Sequence, residues 1–169
     1  MIKNNLQGAW PYAPAKKVEL LNCRGHFMED CAFCRIVSGD LKAYKVYEDE
    51  FCLGFLDERP VFPGHTLLIP KTHYATMAGL PPDLLGPVFS AVSVIARAVE
   101  TGLGADGAFI GINNKVSQRV PHLHVHIIPR HFKDGLRGFF WPRQKYAGDA
   151  EAKEVQEKLA AASRLIAEQ

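Results

Sequence analysis

The sequence has no run of about 18 consecutive apolar residues, which leaves no candidate for a continuous membrane span. It also has almost no excess of one charge: 20 Lys and Arg against 18 Asp and Glu give a formal net charge of +2. Duplex nucleic acid calls for a strongly basic face, so no nucleic-acid partner is expected. A small anionic ligand needs only a few local donors and stays open. The N-terminal stretch lacks the apolar core of a secretion signal, and the expected compartment is the cytoplasm. Cysteine is scarce, with four residues, and only Cys31 and Cys34 form a CxxC pair. A disulfide scaffold is thereby excluded, and in a reducing compartment the pair reads as metal-binding or redox-active. Cys23 and Cys52 have no ligand-like spacing and read as ordinary thiols.

What is present suffices for one core of ordinary size, since 47% of the 169 residues are hydrophobic. Residues 1–28 mix Pro, Asn, Gly and Lys without periodicity and read as an extended, poorly ordered arm. From Tyr44, KVYEDE and FCLGFLD read as two strands around an acidic turn, and GHTLLI as a third strand stopped by Pro70. From about Asp83 to Gly102, Leu85, Val88, Phe89, Val92, Ile95, Ala96 and Val99 recur at helical spacing. Pro87 constrains the start of that helix, and Gly102 and Gly104 are expected to end it. Ala108–Asn114 and His122–Ile128 read as two further strands. Asp149 to Gln169 reads as a second helix with Asp149 as its N-cap and Val155, Leu159, Ala162 and Ile166 on one face. The expected fold class is α+β, with a mainly antiparallel sheet of about five strands, a long central helix and a C-terminal helix. The expected organisation is an extension at 1–28, a main domain at 29–143 and the C-terminal helix within 144–169.

The densest chemical signal is His122-Leu-His124-Val-His126. Alternate side chains of a strand share a face, so the three imidazoles are expected to project together, with Leu123, Val125 and Ile127 towards the core. Each ring brings polar nitrogens that need partners, and three of the seven histidines in one row argue for a task. Spacing alone leaves two tasks open: a cluster of metal ligands, or an imidazole nucleophile forming a covalent intermediate.

The surroundings narrow this. SQRVPHLHVHIIPR resembles the signature of the histidine triad (HIT) superfamily, His-φ-His-φ-His-φ-φ with φ apolar. CAFCRIVSGDLKAYKVYEDEFCLGFLDERPVFPGHTLLIPKTHY resembles the N-terminal half of its Hint-like branch. The resemblance spans roughly Cys31 to His131. It implies that His124 is the nucleophile, attacking the α-phosphorus of a nucleotide, and that His126 contacts phosphate oxygens. It implies that His65 and Asn113 or Asn114 lie near the phosphate or leaving group, with Gln118 beside them. Asp57 would accept the ribose hydroxyls, and Phe33 and Phe55 would wall the base. A structural zinc held by Cys31, Cys34, His73 and His122 is implied as well.

Two departures stand out: Ser117 occupies the position of a family glycine and Arg119 that of a family serine, in a connection about two residues shorter than usual. The leading function implied is hydrolysis of purine nucleoside phosphoramidates through a nucleotidyl-histidine. Dinucleoside polyphosphate hydrolysis (the Fhit-like branch), a nucleotide-binding interaction protein with weak turnover, and a metallohydrolase using all three histidines are the alternatives. Trp141-Pro142, after Phe139 and Phe140, resembles a family segment near the partner's active site and implies a homodimer.

Overall fold

The computed structural model describes residues 31–136 and 146–167. The expected N-terminal arm and the Phe139–Pro142 segment lie outside the described residues. The order of elements is α1 (Ala32–Ser38), β1 (Lys45–Glu48), β2 (Cys52–Leu56), β3 (Thr66–Pro70), a 3-10 turn (Met77–Gly79), α2 (Pro82–Leu103), β4 (Gly107–Ile112), β5 (Val125–Arg130) and α3 (Asp149–Ala167). The five strands form one antiparallel sheet in the order β1-β2-β3-β5-β4. This is the expected α+β architecture.

Local chemistry explains the hairpin that starts the sheet. The Asp49 carboxylate accepts the N–H groups of Phe51 and Cys52, at 2.8 and 2.6 Å, and so closes the β1–β2 turn. β2 and β3 are apolar on both faces because both faces are covered. On one side Val88, Ala91, Val92, Ile95 and Val99 of α2 pack with Leu68, Val125 and Ile127. On the other, Phe33 and Ile36 of α1 pack with Leu53, Phe55, Leu67 and Ile69. Gly54 permits the close approach of α2, since a Cβ there would stand 2.9 Å from Ile95 Cδ1 and 3.1 Å from Tyr47 Cβ.

Helix α2 starts where expected but differs from expectation in carrying Pro87 inside it and in keeping Gly102 helical. Pro82 occupies its first turn. Gly104, at φ +67°, ends it by donating its N–H to the Val99 carbonyl. Although no unbroken apolar run exists, α2 is on average apolar and long enough to cross a bilayer. Its buried stripe instead lies against the sheet, as a core helix does.

The chain divides into two compact units at Phe132 and Lys133, and α3 belongs to the second. Gly148, not Asp149, takes the cap position of α3, because its carbonyl receives the first helical bond, from Ala152 N–H at 3.2 Å. Leu159, expected on an apolar face, is exposed.

Candidate active site and metal centre

The triad segment is where the structure corrects the sequence most. β5 begins at Val125, so His122 and His124 precede the sheet ladder and only His126 lies in it. Pro121 cannot donate a ladder bond, and the His122 ring is engaged elsewhere. The backbone there is held by loop bonds, from His122 N–H to the Val120 carbonyl at 2.8 Å and from Leu123 N–H to the Tyr74 carbonyl at 2.5 Å. Leu123, Val125 and Ile127 do face the core, and His122 and His124 are buried as well.

His122 joins a group built by three elements. Cys31 caps α1 and Cys34 lies in its first turn, His73 comes from the segment after β3, and His122 from the approach to β5. Their ligand atoms all lie within 4.8 Å of one another. His122 Nδ1 stands 3.6 Å from both sulfurs, and His73 Nδ1 stands 3.3 Å from Cys34 Sγ. A tetrahedral zinc with bonds of about 2.3 Å to sulfur and about 2.1 Å to nitrogen would separate S from N by about 3.6 Å. The opposite nitrogen of His122 fits as well: Nε2–H donates to the Pro70 carbonyl at 2.9 Å, which leaves Nδ1 with its lone pair towards the thiols. Burial holds the His122 pKa down at about 4, so the ring stays neutral and able to ligate. The donor set thus fits a closed structural zinc site.

The second group is formed by Asp57, His65 and His126. His126 pairs across the sheet with Leu67 on one side and Gly111 on the other. His65 enters at the start of β3, after Gly64, whose φ of +91° and proximity to Leu103 and Pro129 leave no room for a Cβ. Val61 N–H donates to His65 Nδ1 at 3.3 Å, and His65 Nε2 lies 3.0 Å from His126 Nδ1. The Asp57 carboxylate is 3.6 Å from His65 Nδ1, which would suit a charged ring. Burial favours the neutral ring over that pairing, and the amide donor at Nδ1 agrees with it. A neutral His65 carries its proton on Nε2, donates to His126 Nδ1, and so leaves His126 with Nε2–H as a donor. Burial first, then the neighbouring His124 and His65, lowers the His126 pKa to about 4.

His124 lies between these groups. Its Nδ1–H donates to the His122 carbonyl at 2.7 Å, which leaves Nε2 with the free lone pair. Its ring centroid is 4.9 Å from that of His126 and 5.3 Å from that of Phe33, edge to face. Phe33 also meets Phe55 edge to face at 5.4 Å. The three triad histidines therefore do not form one metal site: among the described residues, His122 groups with the cysteines and His126 with Asp57 and His65.

The remaining sequence-derived candidates divide. Asn114 Oδ1 accepts Met77 N–H at 2.9 Å. The Gln118 amide accepts Lys115 N–H at 2.7 Å and donates to the carbonyls of Ala75 and His122, at 2.6 and 3.5 Å. These two side chains brace the loop. Asn113 and Arg119 are exposed. Ser117 adopts φ +59°, the conformation a glycine would take freely. Asp57 Oδ1 accepts Arg59 N–H at 2.8 Å, so part of its acceptor capacity is used locally. Sequence reasoning missed α1 as a helix and missed the Pro70, Ala75 and His122 carbonyls, since backbone groups leave no mark in residue type.

Comparison with known proteins identifies the fold and the family. The HIT domain family matches residues 38–133. An adenylylsulfatase from Arabidopsis thaliana is 40% identical over 109 residues, 63% of this chain and 55% of that protein. A solved structure from Streptococcus mutans UA159 superposes with a TM-score of 0.74 at 36% identity, covering 82% of this chain and 88% of that one. A zinc-bound histidine triad family protein from Mycobacterium smegmatis gives a TM-score of 0.62 at 39% identity, covering 82% of this chain and 99% of that one.

Proposed function

The chain belongs to the HIT domain family, and from that premise we propose that it is a nucleotide hydrolase or nucleotidyl transferase acting through a nucleotidyl-histidine on His124. The observation that carries this reading is the 2.7 Å bond from His124 Nδ1–H to the His122 carbonyl, which keeps Nε2 as the nucleophilic nitrogen. In the first step the Nε2 lone pair forms a bond to the α-phosphorus while the bond to the leaving group breaks, and the leaving group departs with a proton taken from solvent water. In the second, water attacks phosphorus, the N–P bond breaks, and imidazole and nucleoside monophosphate are released. His126, with Nε2–H available, donates to a phosphate oxygen and stabilises the charge that develops there. Phe33 and Phe55 form the apolar wall of the base slot, and Asp57 accepts ribose hydroxyls with the lone pairs that Arg59 leaves free.

The leading substrate class is purine nucleoside phosphoramidates, with dinucleoside polyphosphates as the alternative. The adenylylsulfatase relative supports adding an adenylyl group with an acidic leaving group to the same panel. Zinc at Cys31, Cys34, His73 and His122 is structural in this reading. A homodimer is also proposed: β4 is an edge strand, and Ile110 on it and Phe89 and Val94 on α2 are exposed apolar side chains. A reducing, cytoplasmic setting is proposed as well. Ranking the panel by kcat/KM tests the function. A phosphoramidate is expected to lead, and His124→Ala is expected to lower its kcat by at least ~10³-fold. Turnover that survives this substitution overturns the nucleophile assignment.

A further inference from the structure

We propose that the Cys31–Cys34–His73–His122 centre is a positioning device for the nucleophile, so that metal occupancy sets the working geometry of His124. This rests on His124 being the nucleophile. His122 is the joint: its ring belongs to the metal centre, and its carbonyl is the acceptor that fixes the His124 ring.

Three observations make the joint matter. The first is the absence of a ladder at this point. The pairings of β5 with both neighbours stop at Val125, so His122 and His124 are not locked by the sheet. The buried His122 ring, tied on one side to the thiols and on the other to the Pro70 carbonyl, anchors the peptide that presents its own carbonyl to His124.

The second is α1. It has seven residues, no side-chain cap and no acidic residue in its first turn. A helix this short does not persist by its own propensity. It is held by tertiary contacts instead: Phe33 and Ile36 pack on the sheet, Cys31 and Cys34 at its start tie it to the metal centre, and Phe33 between them lies edge to face on both His122 and His124. The third is Gln118, whose amide reaches the same His122 carbonyl, so the loop before the triad shares the joint. Loading the centre holds two supports of the His124 ring at once, the carbonyl and the Phe33 edge. Emptying it loosens both, and the Nδ1–H bond to the His122 carbonyl that selects the tautomer with Nε2 bare is then no longer enforced.

The test uses the full chain labelled with ¹⁵N-histidine at one fixed neutral pH, zinc-loaded, chelator-stripped and reloaded, with zinc measured in each sample. Long-range ¹H–¹⁵N spectra report which His124 nitrogen carries the proton. The loaded protein is expected to show Nδ1–H alone. The stripped protein is expected to show mixed tautomers and about 10–100-fold slower adduct formation in single-turnover quench, both reversed by zinc. If stripping unfolds the chain, His73→Ala weakens the site by removing the ring packed 4.7 Å from that of His122 while keeping the His122 carbonyl and the His124 ring, and zinc is titrated while circular dichroism follows the fold. The His124 signature must then follow zinc occupancy. A signature unchanged between loaded and empty protein overturns the proposal. Failure of the nucleophile reading is distinguishable, because it shows as adduct formation that survives His124→Ala, whatever the spectra report.

Discussion

Acid should weaken this fold through His126 in particular. Burial, followed by the neighbouring His124 and His65, places its pKa at about 4, and Asp57 only partly opposes this. In the unfolded chain a histidine titrates near ~6.5. Between those values the unfolded state holds a proton that the folded state does not, so stability falls as pH drops from about 6.5 towards 4. From pH 7.5 to 5.0 the linkage amounts to about 2 kcal/mol for a shift of this size, and water at a half-buried ring reduces it to about 1–2 kcal/mol. His126→Asn removes the titration but keeps an oxygen close to the position of Nδ1, able to accept from His65 Nε2–H. Urea unfolding of both proteins at the two pH values isolates the effect, because the metal centre is common to both. The variant is expected to lose about 1–2 kcal/mol less than the parent, or about 0.5–1 M in midpoint for an m-value near 2 kcal/mol/M. Equal losses in the two proteins would refute the reasoning.

Ser117→Gly should stabilise the chain by about 1 kcal/mol, because a side chain at φ +59° is strained and glycine there is not; an unchanged thermal midpoint would contradict this. Gly54→Ala should cost about 1–3 kcal/mol by forcing Ile95 or Tyr47 to shift, with denaturant unfolding as the check. Asp57→Asn should raise KM for a ribonucleotide about 5–30-fold and leave the 2′,3′-dideoxy analogue nearly unaffected. An equal effect on both substrates would place Asp57 with His65 rather than with the ribose.

The sheet was legible because its strands carry apolar runs between turn residues, and α2 because its stripe from Leu85 to Val99 continues through about four turns despite Pro87. Helix α1 was not legible, since seven residues hold too few periods to stand out and its anchors are tertiary. The row of three histidines was legible as a cluster, but a strand from His122 was not what formed: spacing cannot show that the His122 ring turns towards Cys31 and Cys34. The polar residues of the preceding loop were the least legible. Asn114 and Gln118 are of the type that binds a ligand, yet in the fold they satisfy the backbone groups of Met77, Lys115 and Ala75. Ser117 reads as a departure from the family in sequence, whereas its left-handed backbone keeps the conformation that a glycine would supply.

The central claim is that one imidazole carries the nucleotidyl group. Rapid acid-free quench of the zinc-loaded protein with an adenosine phosphoramidate, followed by intact mass and peptide mapping, tests it directly. The account predicts a transient adduct of one nucleoside monophosphate unit, acid-labile, mapped to His124 and absent from His124→Ala. An adduct on another residue, or full turnover with none on the catalytic timescale, would contradict it.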